Sequence, residues 1–309
     1  MKESKPRHLI TIRDLNGLQV LDLFRVARRL KKGGPGQQKP LVGKTLGLLF
    51  QKPSVRTRVS FEVGMAHLGG QSLYIGPVEI QEGQREASKD VARVLSRYLD
   101  GIVARTFKHK DVEEMARFSS IPVINGLSDD SHPCQALSDL FTIQERFGGF
   151  KGIRVAYVGD GNNVCHSLME VSALLGVELA VATPERYQPD PKVVRWALSK
   201  MKGSRGRILL GHNPKEAVRG ALVVYTDVWT SMGQERQRKQ RKQDFKRFQV
   251  NLHLMHEAEN KAVFMHCLPA HRGEEVTDEV MDSRCSIVYD QAENRLHVQK
   301  AVLLMLLGS

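Results

Sequence analysis

Residues 45–58 read Thr45-Leu46-Gly47-Leu48-Leu49-Phe50-Gln51-Lys52-Pro53-Ser54-Val55-Arg56-Thr57-Arg58. The opening six form a short apolar run, of the length and composition of a strand buried on both faces. Pro53 stops it, because proline has no N–H to give to a ladder. Ser54 is a good N-cap for a helix in which Val55, Val59 and Val63 recur every four residues on one stripe. A strand that turns straight into a helix is half of a βαβ unit, and the pattern repeats along the chain. Further strands are expected at Gly101–Ala104, Pro122–Asn125, Arg154–Val158, Glu178–Ala182, Ala221–Thr226, Ala262–His266 and Ser286–Tyr289. Helical stretches are expected at Leu15–Leu30, Val55–Leu68, Ser88–Leu99, Gln135–Phe147, Val164–Leu175, Pro191–Met201 and Glu293–Leu307. This alternation predicts an α/β fold of parallel sheets flanked by helices. The turn Phe147-Gly148-Gly149-Phe150-Lys151-Gly152 suggests a boundary, giving domains over 1–147 and 148–309, with the helix over 293–309 packing back on the first. Each half has about 150 residues, enough for its own core.

The turn in this stretch has the makings of an anion site. The first N–H groups of a helix have no internal partners, and its dipole adds partial positive charge there. Ser54 and Thr57 bring hydroxyls, and Arg56 and Arg58 bring forked donors. Arginines so early in a helix oppose the dipole, which makes sense if a phosphate sits between them. The plainer reading is a capped surface helix with solvated arginines.

Ligands of open α/β sheets bind beyond the carboxyl ends of the strands. Arg105, Ser131-His132-Pro133-Cys134-Gln135, Gly159-Asp160-Gly161-Asn162-Asn163, Asp227 with Ser231-Met232-Gly233, and Cys267-Leu268-Pro269 all come directly after expected strands. Singly, each has an ordinary reading: Arg105 as a surface ion-pair residue, His132 as a loop histidine, Cys267 as apolar filler, Asp227 as a cap, Met232 as core. Jointly they place cationic groups in the first half and Asn163, Asp227 and Ser231 in the second. A cleft between the halves would hold a phosphate on one wall and the ammonium and carboxylate of an amino acid on the other. The glycines at 159 and 161 imitate a dinucleotide fingerprint, but Val164 stands where its third glycine belongs, which argues against a nicotinamide cofactor.

Composition narrows the classes further. The chain has 309 residues, is 41% hydrophobic and 26% charged, and carries a formal net charge of +12, ordinary values for a globular protein with a leaning towards anionic partners. Its longest apolar run, 301–307, is far short of the ~20 residues that span a bilayer. Residues 1–7 lack the apolar core of a secretory signal. The four cysteines, at 134, 165, 267 and 285, have no paired metal-ligand spacing, so reduced thiols, a cytoplasmic location and no metal are expected. Residues 236–247 hold seven basic residues against Asp244 and are read as a solvated face. Phe245 and Phe248 there share a helical face directed towards the core. Nucleic-acid binding would need aromatic or groove-reading partners, and none is evident.

With these residues in hand, the chain resembles the ornithine carbamoyltransferases over nearly its whole length. Ser54-Val55-Arg56-Thr57 is similar to their phosphate motif, with valine where the motif has threonine. Asp90 with Ala92-Arg93-Val94-Leu95-Ser96-Arg97-Tyr98, His132-Pro133-Cys134-Gln135, Asp227 with Ser231-Met232-Gly233, and His266-Cys267-Leu268-Pro269-Ala270-His271-Arg272-Gly273 match further motifs. The segment 86–91 departs from the usual pattern. The resemblance implies that Ser54, the backbone of Val55, Arg56 and Thr57 cradle the phosphate of carbamoyl phosphate. It implies that Arg105, His132 and Gln135 hold the carbamoyl group, and that Gln81 reaches a neighbouring subunit's site. Asn163, Asp227, Ser231 and the backbone of Met232 would bind the amino-acid end of ornithine, while Cys267, Leu268 and Arg295 complete the pocket. The catalytic set so implied is Arg105, His132, Cys267 and Asp227. The products would be citrulline and phosphate, with no cofactor, in a homotrimer or a multiple of one. Rival readings are transfer to aspartate, putrescine or an N-acyl-ornithine, or a non-catalytic protein binding phosphate compounds or RNA.

Overall fold

The computed structural model describes residues 5–33, 39–80, 86–204, 206–231 and 233–308. Among the described residues the strands are β1 (Thr45–Phe50), β2 (Gln71–Ile75), β3 (Gly101–Arg105), β4 (Val123–Leu127), β5 (Arg154–Val158), β6 (Glu178–Ala182), β7 (Ile208–Gly211), β8 (Val223–Thr226) and β9 (Val263–His266). They form two wholly parallel sheets, ordered β2-β1-β3-β4 and β7-β6-β5-β8-β9. The longer helices are α1 (Gly17–Lys32), α2 (Val55–His67), α3 (Ser88–Leu95), α4 (His109–Phe118), α5 (Pro133–Phe147), α6 (Asn163–Leu175), α7 (Pro191–Met201), α8 (Arg238–Asp244) and α9 (Val288–Leu307). The α/β fold expected from the sequence is therefore present.

The chain divides into two compact units, Met1–Ser138 with Glu293–Ser309, and Asp139–Ala292. Both divisions fall inside helices, the first in α5 and the second in α9. Within the first unit the end of α9 packs on α2, where Gly64 lies against Leu296, Lys300 and Leu303. Lys31 of α1 donates to Asn294 at 2.8 Å.

Each sheet carries its own core. Leu46, Leu48, Leu49 and Phe50 of β1 are buried, as are Val155, Ala156, Tyr157 and Val158 of β5. Such unbroken apolar runs are what both-face burial of parallel strands requires. The sequence pattern does not reveal β2 and β7. Both are sheet edges, and their apolar stretches, Leu73-Tyr74-Ile75 and Ile208-Leu209-Leu210, are only three residues long, with Leu73, Leu209 and Leu210 exposed. Helix α4 is likewise absent from the pattern. A strand expected at Ser286–Tyr289 is not there: Ser286 makes one isolated bridge to Phe264, and α9 begins at Val288. Cys285 and Ile287 still bond Phe264, its N–H to the Cys285 carbonyl at 2.8 Å and the Ile287 N–H to its carbonyl at 3.0 Å, which produces a strand-like sequence over two residues only.

Candidate active site

Chain order reverses between β1 and β3 in the first sheet and between β5 and β8 in the second. A crevice opens beyond the strand ends at such points because the connections leave in opposite directions. Of the expected site residues, Ser54, Val55, Arg56, Thr57 and Arg105 follow or end these strands in the first unit, and Asn163 and Asp227 in the second.

In the first unit, β1 runs through residues 51–54 into α2. Ser54 caps the helix: its Oγ accepts the Thr57 N–H at 3.3 Å and donates to Thr57 Oγ1 at 3.1 Å. Thr57 is buried, whereas Val55 and Arg56 are exposed. Arg58 does not join the set expected of it. It pairs with Glu62 at 2.9 Å and stacks on Tyr74. Arg105 ends β3 and is buried. His132 caps α5, its carbonyl accepting the N–H groups of Gln135 and Ala136. Arg295 on α9 donates to Gln135 Oε1 at 2.7 Å and to Thr57 Oγ1 at 3.4 Å. Thr57, Gln135 and Arg295 are thereby brought together from three separate helices.

Electrostatics adds His132, Arg105 and Lys52 to this cluster. Burial, then the charges of Arg295, Arg105 and Lys52, hold the His132 imidazole well below its usual pKa. It is therefore neutral at pH 7, with a single N–H to offer. Lys52 is buried with its ammonium over the Phe107 ring. Burial and the Arg105 charge lower its pKa to about 8, against an opposing pull from Asp129. Sequence reasoning assigns Lys52 no role; its one signal is position, two residues before the helix cap. This half is a cationic pocket with one neutral imidazole, and it can receive a phosphate ester.

In the second unit, Asp227 comes directly after β8 and is buried. Its Oδ1 accepts the Val228 N–H at 2.8 Å and the Cys267 thiol at 2.9 Å, and its Oδ2 accepts from Asn162 Nδ2 at 2.7 Å. Asn162 also caps α6, accepting from the N–H groups of Val164 and Cys165. Asn163, the residue expected to bind ornithine, is buried next to it, with its Oδ1 on the Val164 N–H at 2.9 Å. The two asparagines are adjacent, and it is the capping one, Asn162, that bonds Asp227. Ser231 donates its N–H to Gln234 Oε1 at 3.2 Å. Cys267 and Leu268 come directly after β9 and are part-exposed. Met232 and Gln81 lie outside the described residues. Gly161 gives its N–H to the Tyr187 carbonyl, and a side chain there would run into the backbone of Gln188 and Pro189. The dinucleotide-like glycine thus serves packing within the protein.

The basic segment 236–247 differs from its reading as a solvated face. Arg241 is buried. It pairs with Asp160, donates to the Trp229 carbonyl, and lies over the rings of Tyr187 and Phe245. Burial pushes the Asp160 carboxyl up to about 6 against the pull of Arg241. Phe245 and Phe248 are buried, as their spacing suggested.

Asp227, His266 and Cys267 offer metal-ligand atoms within 4.8 Å of one another. Both nitrogens of His266 are engaged inside the protein, Nδ1 with the Leu268 N–H at 2.8 Å and Nε2 with Glu275 at 3.2 Å. A cation would have to break one of those contacts. Among the described residues no helix is long and apolar enough to cross a membrane.

Residues 7–145 match the family described as aspartate/ornithine carbamoyltransferase, carbamoyl-P binding domain. Residues 151–306 match its Asp/Orn binding domain. The chain is 54% identical to ornithine carbamoyltransferase of Pyrococcus horikoshii over 308 residues, covering 98% of this chain and 96% of that protein. The solved ornithine carbamoyltransferase of Pyrococcus furiosus is 53% identical and superposes with a TM-score of 0.94, over 98% of this chain and 97% of that one. The structure of the Thermus thermophilus ornithine carbamoyltransferase gives 46% identity and a TM-score of 0.89, over 98% and 100%. With both its halves matched and both its strand-end pockets in place, this chain belongs to the aspartate/ornithine carbamoyltransferase family.

Proposed function

We propose that the chain is an ornithine carbamoyltransferase, moving the carbamoyl group of carbamoyl phosphate to the δ-amine of L-ornithine to give L-citrulline and phosphate. The observation that carries this choice of acceptor is Asp227, a buried carboxylate held by Asn162, Cys267 and the Val228 N–H. It suits a cationic amino group. Aspartate, with a second carboxylate, would call for cations there, and putrescine would leave the carboxylate-binding side of the 231–233 loop unused. The near full-length identity to proteins named ornithine carbamoyltransferase supports the same reading.

Residues 1–147 serve as the carbamoyl phosphate-binding domain and 148–309 as the ornithine-binding domain, with the helix over 293–309 packing back on the first. Ser54, the Val55 backbone, Arg56, Thr57 and Arg295 hold the phosphate, helped by the unpaired N–H groups at the start of α2. Arg105, neutral His132 and Gln135 polarise the carbamoyl oxygen. Asn163, Asp227, Ser231 and Met232 hold the α-amino and carboxylate groups, and Cys267 and Leu268 enclose the δ-amine. That amine, with a solution pKa near 10, must lose a proton before it attacks. Desolvation on binding favours the loss. The N–C bond then forms, the tetrahedral centre collapses, and the C–O bond to phosphate breaks. The transferred amine's second proton leaves in the same process, for which Cys267 and Asp227 are the nearest candidates. Charge that builds on the carbamoyl oxygen and the departing phosphate meets Arg56, Arg105 and His132, the kind of fixed stabilisation that usually contributes most. The chemistry calls for no metal, nucleotide or covalent intermediate.

A homotrimer in the cytoplasm completes the reading, with Gln81 serving a neighbour's site. The test is colorimetric: citrulline should form from ornithine, with no ureido product from aspartate, putrescine or N-acetylornithine. Equal turnover of putrescine would transfer the assignment to a different amine.

A further inference from the structure

Two side chains behind the proposed ornithine pocket take no part in the chemistry above. They are His266, at the end of β9, and Glu275, both wholly buried. His266 Nδ1 accepts the Leu268 N–H at 2.8 Å, so the ring proton sits on Nε2, which lies 3.2 Å from Glu275 Oε1. The same carboxylate oxygen accepts the His271 N–H at 2.5 Å. One buried group thus fastens both the imidazole and the far end of the loop. From the other side, Gln291 Oε1 accepts the His266 N–H at 2.9 Å, and the Gln291 amide donates to Asp139 at 2.7 Å.

The ring restrains a strained turn. Leu268 has φ of +60°, the one positive value among the described non-glycine residues. Its Cβ disfavours that conformation, which persists only where the surroundings over-determine it. The bond from the Leu268 N–H to His266 Nδ1 supplies the restraint, and Cys267, between them, keeps its thiol on Asp227. A carboxylate removed wholly from water is costly unless bonded; Glu275 bonds through Oε1 alone, to this ring and this loop, and its Oε2 has no hydrogen-bond partner among the described residues.

We propose that His266 and Glu275 are positioning residues: the pair holds the Cys267-Leu268 turn so that the thiol stays on Asp227 and the pocket for the reacting amine keeps its shape. This rests on the reading of Cys267, Leu268 and Asp227 as the ornithine pocket.

Two replacements separate the contacts. In His266→Asn the amide oxygen stands where Nδ1 was and keeps the acceptor for Leu268. In His266→Gln the amide reaches towards Glu275 and the acceptor is lost. Kinetics in each substrate would be measured together with the rate at which iodoacetamide alkylates Cys267, monitored on its own peptide by mass spectrometry. His266→Gln should lower kcat/KM for ornithine about a hundredfold, the cost of a misplacement near 1 Å, while the KM for carbamoyl phosphate moves less than about twofold. Alkylation of Cys267 should quicken about tenfold as the thiol leaves its acceptor and gains exposure. His266→Asn should recover each value to within about threefold, as expected when geometry rather than ring charge matters. If His266→Gln does not fold, Glu275→Gln, which keeps the acceptor, against Glu275→Met reads the same contrast. Unchanged alkylation and ornithine kinetics in His266→Gln, or a loss falling equally on both substrates, would overturn the proposal. Failure of the functional reading would look different: the unmodified protein would form no citrulline, while the alkylation contrast, which needs no substrate, would stand.

Discussion

The two units use one architectural device for opposite chemistry. Each has a parallel sheet whose chain order reverses near its middle, and each gathers polar groups at that reversal. In the first unit these are Lys52, Arg105 and Arg295 around a neutral imidazole. In the second the carboxylate of Asp227 is fixed by an amide, a thiol and a backbone N–H, while the neighbouring Asp160 is paired with Arg241. The sheet fixes where a ligand can sit; the few residues after each strand fix its charge. Fold and function are therefore separately encoded here, within one chain.

The sharpest way to break this contrast is to neutralise one pocket at a time. Arg105→Ala should lower kcat/KM for carbamoyl phosphate by about 10²–10³-fold, the usual loss when a donor to developing charge is removed. Asp227→Asn should give a loss of similar size that falls on ornithine, with inorganic phosphate still bound at its original affinity. Isothermal titration with phosphate, alongside kinetics in both substrates, checks both variants. If Asp227→Asn weakened phosphate binding as much as Arg105→Ala, the two pockets would not be electrostatically separate.

A stability effect comes next. Arg241→Gln leaves Asp160 buried without its cation, a change that costs about 3 kcal/mol when one partner of such a pair is removed. In a unit of this size that should lower Tm by roughly 6–12 °C in a calorimetric scan. Since the lost cation held Asp160 ionised against burial, the deficit should shrink as the pH falls from 7 towards 5 and the carboxyl protonates. A deficit independent of pH would show that packing on Tyr187 and Phe245, rather than charge, is what Arg241 contributes.

Smaller still is the effect of Lys52, whose pKa burial and Arg105 lower to about 8. The ammonium is charged below that value and neutral above it, so phosphate affinity should fall by up to about tenfold between pH 7 and 9. Lys52→Gln should flatten that dependence, and an unchanged slope in the variant would assign it to another group. Last is Val55→Thr, which restores the hydroxyl of the family motif. Val55 is 76% exposed, so a hydroxyl there contributes at most about 1 kcal/mol, or about fivefold in carbamoyl phosphate KM. A larger gain would mean that the first pocket depends on side-chain donors more than on backbone N–H groups.

Much of this could be read from the sequence because the deciding features are local. Buried parallel strands such as β1 and β5 write continuous apolar runs, and a helix cap such as Ser54 comes directly after. The edge strands β2 and β7 write apolar runs of only three residues, Leu73-Tyr74-Ile75 and Ile208-Leu209-Leu210, too short to stand out. Site residues at strand ends were visible for the same reason that their strands were. Partners joined by tertiary contact were not. Nothing in residues 236–247 says that Arg241 alone among its basic neighbours turns inward to Asp160, and nothing near residue 162 says that Asn162 rather than Asn163 meets Asp227. Arg58 resembles Arg56 in sequence and differs only in having Glu62 and Tyr74 within reach.

Helix α9 has a consequence for the order in which the protein becomes competent. Arg295 closes on Thr57 across 238 positions of chain, although every strand of that sheet precedes residue 128. On the ribosome, the earliest scaffold to emerge must wait for nearly all later segments before its guanidinium arrives. A nascent chain could therefore shape its first sheet well before it could grip an anion, and catalysis would begin only after synthesis had run through the second sheet.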